Sequence, residues 1–190
     1  MEYFKDLGCL FFKIEARDRQ NKKLPLEDAV SRISSLAVRR NKKGNKIILI
    51  GNGGSASIAS HIATDFLKNA GVSAEAFNDP SLLTCLSNDL GYEYVFQKPI
   101  EMLGKKGDVL FSISSSGASK NILNATRAAA KRKFYVITFS GFNRDNPLRV
   151  LGDINFYVPS HSYGYVEIAH LVICHAIVDK ITASRGHPHG

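Results

Sequence analysis

Four short stretches of the chain are apolar at nearly every position: KIILIG at 46–51, DVLFSIS at 108–114, FYVITFSG at 134–141 and INFYVP at 154–159. A strand with one solvated face alternates apolar and polar residues, whereas an unbroken apolar run belongs to a strand buried on both faces. These four, with the shorter SAEAF at 73–77, read as strands of a parallel sheet. Between them, apolar positions recur every three or four residues over 54–69, 119–132 and 163–184, the helical spacing. Two more helices are expected near 2–20 and 26–40, joined by NKKLP, with Pro25 and the Glu27–Asp28 pair opening the second. Asn78-Asp79-Pro80 reads as a turn, SLLTCLSNDLGYEYVFQKPIEML as a short helix, a loop and a second helix, and FNRDNPLRV as a loop. Alternating strands and helices give an α/β fold. We expect one domain over 1–190, a parallel sheet with helices on both faces, a helical N-terminal extension over 1–40 and a disordered tail at 185–190.

Composition narrows the class. The 190 residues suffice for one domain with a sizeable core, and 44% hydrophobic with 22% charged residues is ordinary for a soluble globular chain. No apolar run reaches the roughly 20 residues of a membrane span. The start, MEYFKDLGCLFFKIEARDRQ, lacks a basic lead-in and a small-residue cleavage site, so it reads as a first helix rather than a signal peptide. Cys9, Cys85 and Cys174 form no CxxC pair, which argues against a zinc finger or disulfide frame and for a reducing cytoplasm. The net charge is +8, but VRRNKKGNK at 38–46 and KRK at 131–133 fall where helices end, a position that favours cations. No basic stretch is interleaved with aromatics, so we expect no nucleic-acid partner and a field that attracts a small anion.

Two turns carry the chemistry. In GNGGS, Gly51, Gly53 and Gly54 follow a strand and precede a helix, allowing a tight turn and close approach of a ligand to the backbone. The helix starting near Ser55 aims its free N–H groups at that space. The lysine of a triphosphatase loop is absent, and the match to GxGxxG is partial, with Ala56 at the third glycine position. The second turn repeats the architecture in serine: Ser114, Ser115, Ser116, Gly117 and Ser119 lie between a strand and a helix. One serine would serve as an N-cap; four exceed capping needs. Two such loops point to a compact phosphorylated ligand between them.

His61 and Asp65, four apart, share a helix face flanked by Ile58, Ile62 and Phe66. The plainer reading is an aspartate pairing with a basic side chain. In the last helix His175 falls in a stripe with Ile168, Leu171 and Val178, where a core histidine bonded to a backbone carbonyl is the plain alternative. His170 lies about 140° around the helix from His175, so at most one shares the site of Glu167, and spacing does not choose between them. Two histidines with two carboxylates suit zinc or another borderline divalent ion.

GNGGSASIASHIATD, SNDLGYEY, SISSSGASKN and EIAHLVICH together resemble the sugar isomerase (SIS) domain and, within it, the phosphoheptose isomerase family, across nearly the whole chain. The resemblance implies a flavodoxin-like three-layer sandwich and an enzyme that converts sedoheptulose 7-phosphate into D-glycero-D-manno-heptose 7-phosphate. Ser55, Ser114, Ser115, Ser116 and Ser119 match phosphate-binding hydroxyls, with Gly53 and Gly54 in the same turn; Asn52 and Asp89 match sugar-hydroxyl contacts. His61 and His175 fall on the metal-site histidines, which makes His170 the interface or surface candidate. Asp65 stands where the family has a glutamate base, Glu167 where it has a glutamine, and Asn69 does not reproduce an arginine found soon after the base.

On that basis Asp65, assisted or replaced by Glu167, abstracts a proton next to the carbonyl, and His175 shuttles it to oxygen. A divalent ion, zinc for preference, held by His61, Asp65, Glu167 and His175 polarises the carbonyl. The resemblance also implies a homotetramer with sites at subunit interfaces, Leu10, Phe11, Phe12 and Ile14 facing a neighbour; the alternative is an intrachain helix pair. Three rival functions stay open: an isomerase for another phosphosugar, a noncatalytic SIS protein that binds a partner such as the replication initiator DnaA, and a sugar-phosphate-sensing or nucleic-acid-linked regulator, against which the lack of any DNA-reading element counts.

Overall fold

The protein, described by a computed structural model over residues 2–186, is built on one seven-stranded sheet. Its strands are β1 (Glu15–Asp18), β2 (Lys23–Leu24), β3 (Ile47–Ile50), β4 (Ala74–Ala76), β5 (Val109–Ser114), β6 (Tyr135–Ser140) and β7 (Ile154–Tyr157). The helices are α1 (Tyr3–Phe11), α2 (Leu26–Asn41), α3 (Gly54–Lys68), α4 (Pro80–Leu90), α5 (Gln97–Leu103), α6 (Lys120–Lys131) and α7 (Tyr163–Ser184). The strand order is β2-β1-β7-β6-β5-β3-β4, and β3 to β7 run parallel. Within this parallel set the chain starts at β3, adds β4 on one side, and then winds the other way through β5, β6 and β7. That is the doubly wound arrangement, and its order reverses between β3 and β5, where ligands of open α/β sheets sit.

The unbroken apolar runs do what their pattern predicts. In β3, Ile47 and Leu49 face one core with Ile62 and Phe66 of α3, Ile33 of α2 and Ile177 of α7. Ile48 and Ile50 face the other, with Ile100 of α5 and Ile122 of α6. Asp79 caps α4 by accepting from the Leu82 N–H at 2.9 Å, with Pro80 in the first turn. Arg39, Arg40 and Lys131 close α2 and α6, so much of the basic charge does sit at helix ends.

The N-terminal extension differs from expectation. The helix expected over 2–20 stops at Phe11; Glu15–Asp18 then pairs antiparallel with β7 (Ala16 opposite Phe156) and β2 pairs back on it. Ile14 and Ala16 alternate with charged Glu15 and Arg17, which is a period of two, and Ala16 buries its face against the sheet. The extension is therefore helix, hairpin, helix. Leu10 does not face a neighbour: it is buried within this chain against Val158, Val166 and Ala169, with Phe11 and Ile14 packed alongside, while Phe12 is 93% exposed. Inside FNRDNPLRV, Pro147–Val150 forms a 3-10 turn capped by Asn146. Residues 187–190 of the expected tail lie outside the described residues. Among the described residues no helix is long and apolar enough to cross a membrane.

His170 is corrected as well. It is neither at the surface nor at an open face: it is fully buried, with Nε2 3.2 Å from the Ser140 carbonyl oxygen and its ring edge-on to Phe139. Burial pulls its imidazole down to about 4. The folded chain thus keeps the ring neutral where the unfolded chain would protonate it near pH 6.5. The stability this contributes is whole above pH 6.5 and is lost as pH falls toward 4, about 3 kcal/mol in all. Urea titrations at pH 7 and pH 4 should show that loss in the wild type and a smaller one in His170→Gln; equal losses would contradict it.

Candidate functional site

The ends of β3 and β5 lie side by side, and each feeds a helix N-terminus. The turn after β3 needs its glycines. Gly53 sits at φ 54° and ψ −125°, and a Cβ on Gly51 would meet the Ser55 backbone at 2.5 Å. The turn after β5 passes through Gly117 at φ 62°, where a Cβ would run into the Asn146 amide.

Between the turns is a cleft of about 120 Å³ lined by Asn52, Ser55, Ser114, Ser115, Ser116, Ser119, Tyr163 and Glu167. All five expected serines reach it. Ser119 stands at the N-cap of α6 yet makes no capping bond; its Oγ lies 3.4 Å from that of Ser114. Ser116 and Ser114 accept from the N–H groups of Ala118 and Gly117 at 3.3 and 3.2 Å. The buried Ser115 Oγ has no hydrogen-bond partner among the described residues. An unpaired buried hydroxyl costs about 1–3 kcal/mol, and this one keeps its donor and acceptor capacity unused by the fold. The N-termini of α3 and α6 add positive potential.

Asn52 is committed to structure. It exchanges amide hydrogen bonds with Asn121 at 3.0 and 2.8 Å and accepts from the Tyr92 hydroxyl at 3.0 Å, lacing the two turns together. Sequence reading missed Asn121, Tyr92 and Tyr163; the first two lay inside quoted motifs, but only the fold shows what they face. Asp89 is not brought to the cleft. It lies exposed near the end of α4, accepting from Asn88 at 2.8 Å.

The second half of the site lies between α3 and α7. Asp65 Oδ2 is 3.3 Å from His61 Nε2 and 3.5 Å from His175 Nδ1, and the two rings are 5.2 Å apart. One ligand atom from each of the three falls within 4.8 Å of the others. Two imidazoles and a carboxylate that close match the donor set of zinc, so the residues present fit such an ion. The plain reading of His175 as a carbonyl-bonded core residue instead describes His170. Asn69 donates to Asp65 Oδ1 at 3.3 Å. Glu167 is outside this group: its carboxylate lies against Gly54, the first residue of α3, in the serine cleft. Eight residues along α7 separate it from His175, about 12 Å of helix rise.

Residues 14–141 match the family model of the SIS domain. The phosphoheptose isomerase of Helicobacter hepaticus is 37% identical, over 85% of this chain and 85% of its own. The chain belongs to the phosphoheptose isomerase family of SIS-domain proteins. Among solved structures, the phosphoheptose isomerase of Francisella tularensis superposes with a TM-score of 0.81 at 27% identity, covering 95% of each chain. That of Neisseria gonorrhoeae gives 0.75 at 32% identity, covering 81% of this chain and 86% of its own. The expected SIS fold is therefore the observed one, with an antiparallel edge hairpin added to the parallel sheet. Membership also places the serine cleft and the His61–Asp65–His175 cluster on a family scaffold, at the switch point and on the two helices packed beside it.

Proposed function

We propose that this protein is a phosphosugar aldose–ketose isomerase acting on sedoheptulose 7-phosphate, with D-glycero-D-manno-heptose 7-phosphate as product. The observation that carries the reading is the His61–Asp65–His175 cluster beside a serine cleft with an unpaired buried hydroxyl. The names of the relatives support the substrate. The phosphate binds Ser55, Ser114, Ser115, Ser116 and Ser119 at the two helix N-termini, and this remote binding orients the reacting end.

Asp65 is the base. Its Oδ2 faces both imidazoles while Oδ1 meets only Asn69, which leaves Oδ1 to take the proton from C1. His175 moves the hydroxyl proton from O1 to O2 of the resulting enediolate, and return of the proton held by Asp65 to C2 gives the aldose. A divalent ion, held by His61, Asp65 and His175, would polarise the carbonyl oxygens. Glu167 sits at the phosphate end, so it is not the base in this reading. The chain works as a homotetramer, a reading supported by Phe4 and Phe12 being 86% and 93% exposed and by Val172, 43% exposed, one helical turn from His175.

The test is direct. Purified protein incubated with sedoheptulose 7-phosphate in D₂O should form the aldose with deuterium at C2. Absence of both conversion and exchange at C1 overturns the proposal and favours the noncatalytic alternative. Glu167→Gln removes a negative charge from the phosphate cleft. Glutamine removes that charge's repulsion of the phosphate dianion, so KM should fall severalfold. An unchanged or higher KM would place the carboxylate elsewhere in the complex.

A further inference from the structure

Away from the serine cleft, three guanidiniums converge on one carboxylate. Glu15 accepts from Arg17 Nη2 at 3.0 Å, Arg144 Nη2 at 3.0 Å and Arg149 Nη2 at 2.7 Å. Burial raises the Glu15 carboxyl, but the Arg17 hydrogen bond and the charges of Arg149, Arg144 and Arg17 outweigh it and hold it below its ordinary range. Arg149 is itself buried, 4.1 Å above the Tyr157 ring, and donates to the Arg144 carbonyl at 2.7 Å. Pinning the β1 hairpin to the 144–150 loop needs one such pair; placing a second and third cation beside the first adds repulsion among them. Beside the cluster is a cavity of about 260 Å³, walled by Arg17, Arg144, Arg149, Asn21 and Val150. Among the described residues Asp145 is the one carboxylate on its wall, so the lining keeps a net positive charge.

We propose that this arginine-walled cavity is a second anion site, distinct from the serine cleft, that takes a phosphoryl group. Guanidinium forks match phosphoryl oxygens in pairs, and among the described residues no hydrogen bond occupies Nε or Nη1 of Arg144, whose side chain is 62% exposed. The volume suits a diphosphate or the phosphoryl end of a larger metabolite. The site also touches the first one: the Leu148 N–H donates to the Gly117 carbonyl at 3.1 Å, and Asn146 packs on Gly117 in the serine turn. An anion that orders the 144–150 loop therefore acts on the serine turn.

Calorimetric titration of the full chain with inorganic pyrophosphate at low ionic strength should give two ions per chain. Arg144→Glu, which reverses a wall charge, and Val150→Trp, which fills the cavity without altering charge, should each weaken one of the two at least tenfold. Ser116→Ala with Ser119→Ala should weaken the other and leave the arginine site intact. Repeating the titration on that serine variant with a nucleoside diphosphate and with a sugar phosphate shows which source of phosphoryl group the cavity prefers. One ion per chain in the wild type overturns the proposal. So does a second ion that persists within threefold in both Arg144→Glu and Val150→Trp.

Discussion

Asp65→Asn is expected to lower kcat for sedoheptulose 7-phosphate isomerisation by about 10³-fold with KM nearly unchanged. Asparagine keeps the size and the polar contact to Asn69 but cannot accept a carbon-bound proton, and positioned proton transfer contributes about 10² to 10⁴ in rate. The phosphate end is untouched, so binding in the ground state should survive and the loss should fall on kcat. The same variant removes the only carboxylate of the His61–Asp65–His175 group, so metal content belongs beside the kinetics. Asp65→Glu is the control. It restores the residue the family resemblance implies and lengthens the side chain by one methylene, and it should stay within about tenfold of wild type, because base strength is kept and only reach changes. A kcat for Asp65→Asn within a factor of five of wild type would remove Asp65 from the base role.

What the sequence shows of this protein depends on how many residues share one message. β3, β5 and β6 are legible because each spends four to six consecutive positions buried on both faces. The two turns are legible because the glycines cluster where the chain must turn tightly after β3, and the serines after β5 outnumber what one cap requires. β1 is not legible: it buries a single small residue, Ala16, and its charged positions look like a solvated helix until Arg144 and Arg149 are brought across from the far end of the chain. The histidines of α7 fail for another reason. That helix is apolar nearly all round, with Val166, Ala169, Ile173, Cys174, Ile177 and Val178 all buried, so periodicity has no preferred face to report. The resemblance picked His175 where spacing did not choose, and the fold agrees: His170 reaches the Ser140 carbonyl in the core and His175 meets Asp65. Asp89 and Glu167 were placed by resemblance alone; the fold leaves the first exposed and sets the second in the serine cleft.

Ser115→Ala should raise stability and lower phosphosugar affinity together, and the opposite signs are what make it informative. In the folded chain the Ser115 hydroxyl is buried without a partner, a cost of about 1–3 kcal/mol that alanine does not carry. If about 1 kcal/mol is recovered, Tm rises by about 2–4 °C for a chain of this size. If the serine turn holds the phosphate as proposed, the same hydroxyl donates to a phosphate oxygen, and a hydrogen bond to a charged group is worth about 1.5–3 kcal/mol, so kcat/KM should fall about 10- to 100-fold. Ser112→Ala, three residues earlier in β5, is the contrast. Its hydroxyl is buried but satisfied, 2.8 Å from Thr126 Oγ1, so its removal should lower stability and leave phosphate affinity alone. A structural serine loses Tm on truncation and a purely spare one changes neither property. Only a hydroxyl left unpaired by the fold and paired by the ligand gains the first and loses the second, so a Ser115→Ala protein that is less stable, or that binds phosphosugar as wild type does, would mean that the serine turn does not hold the phosphate in the way proposed.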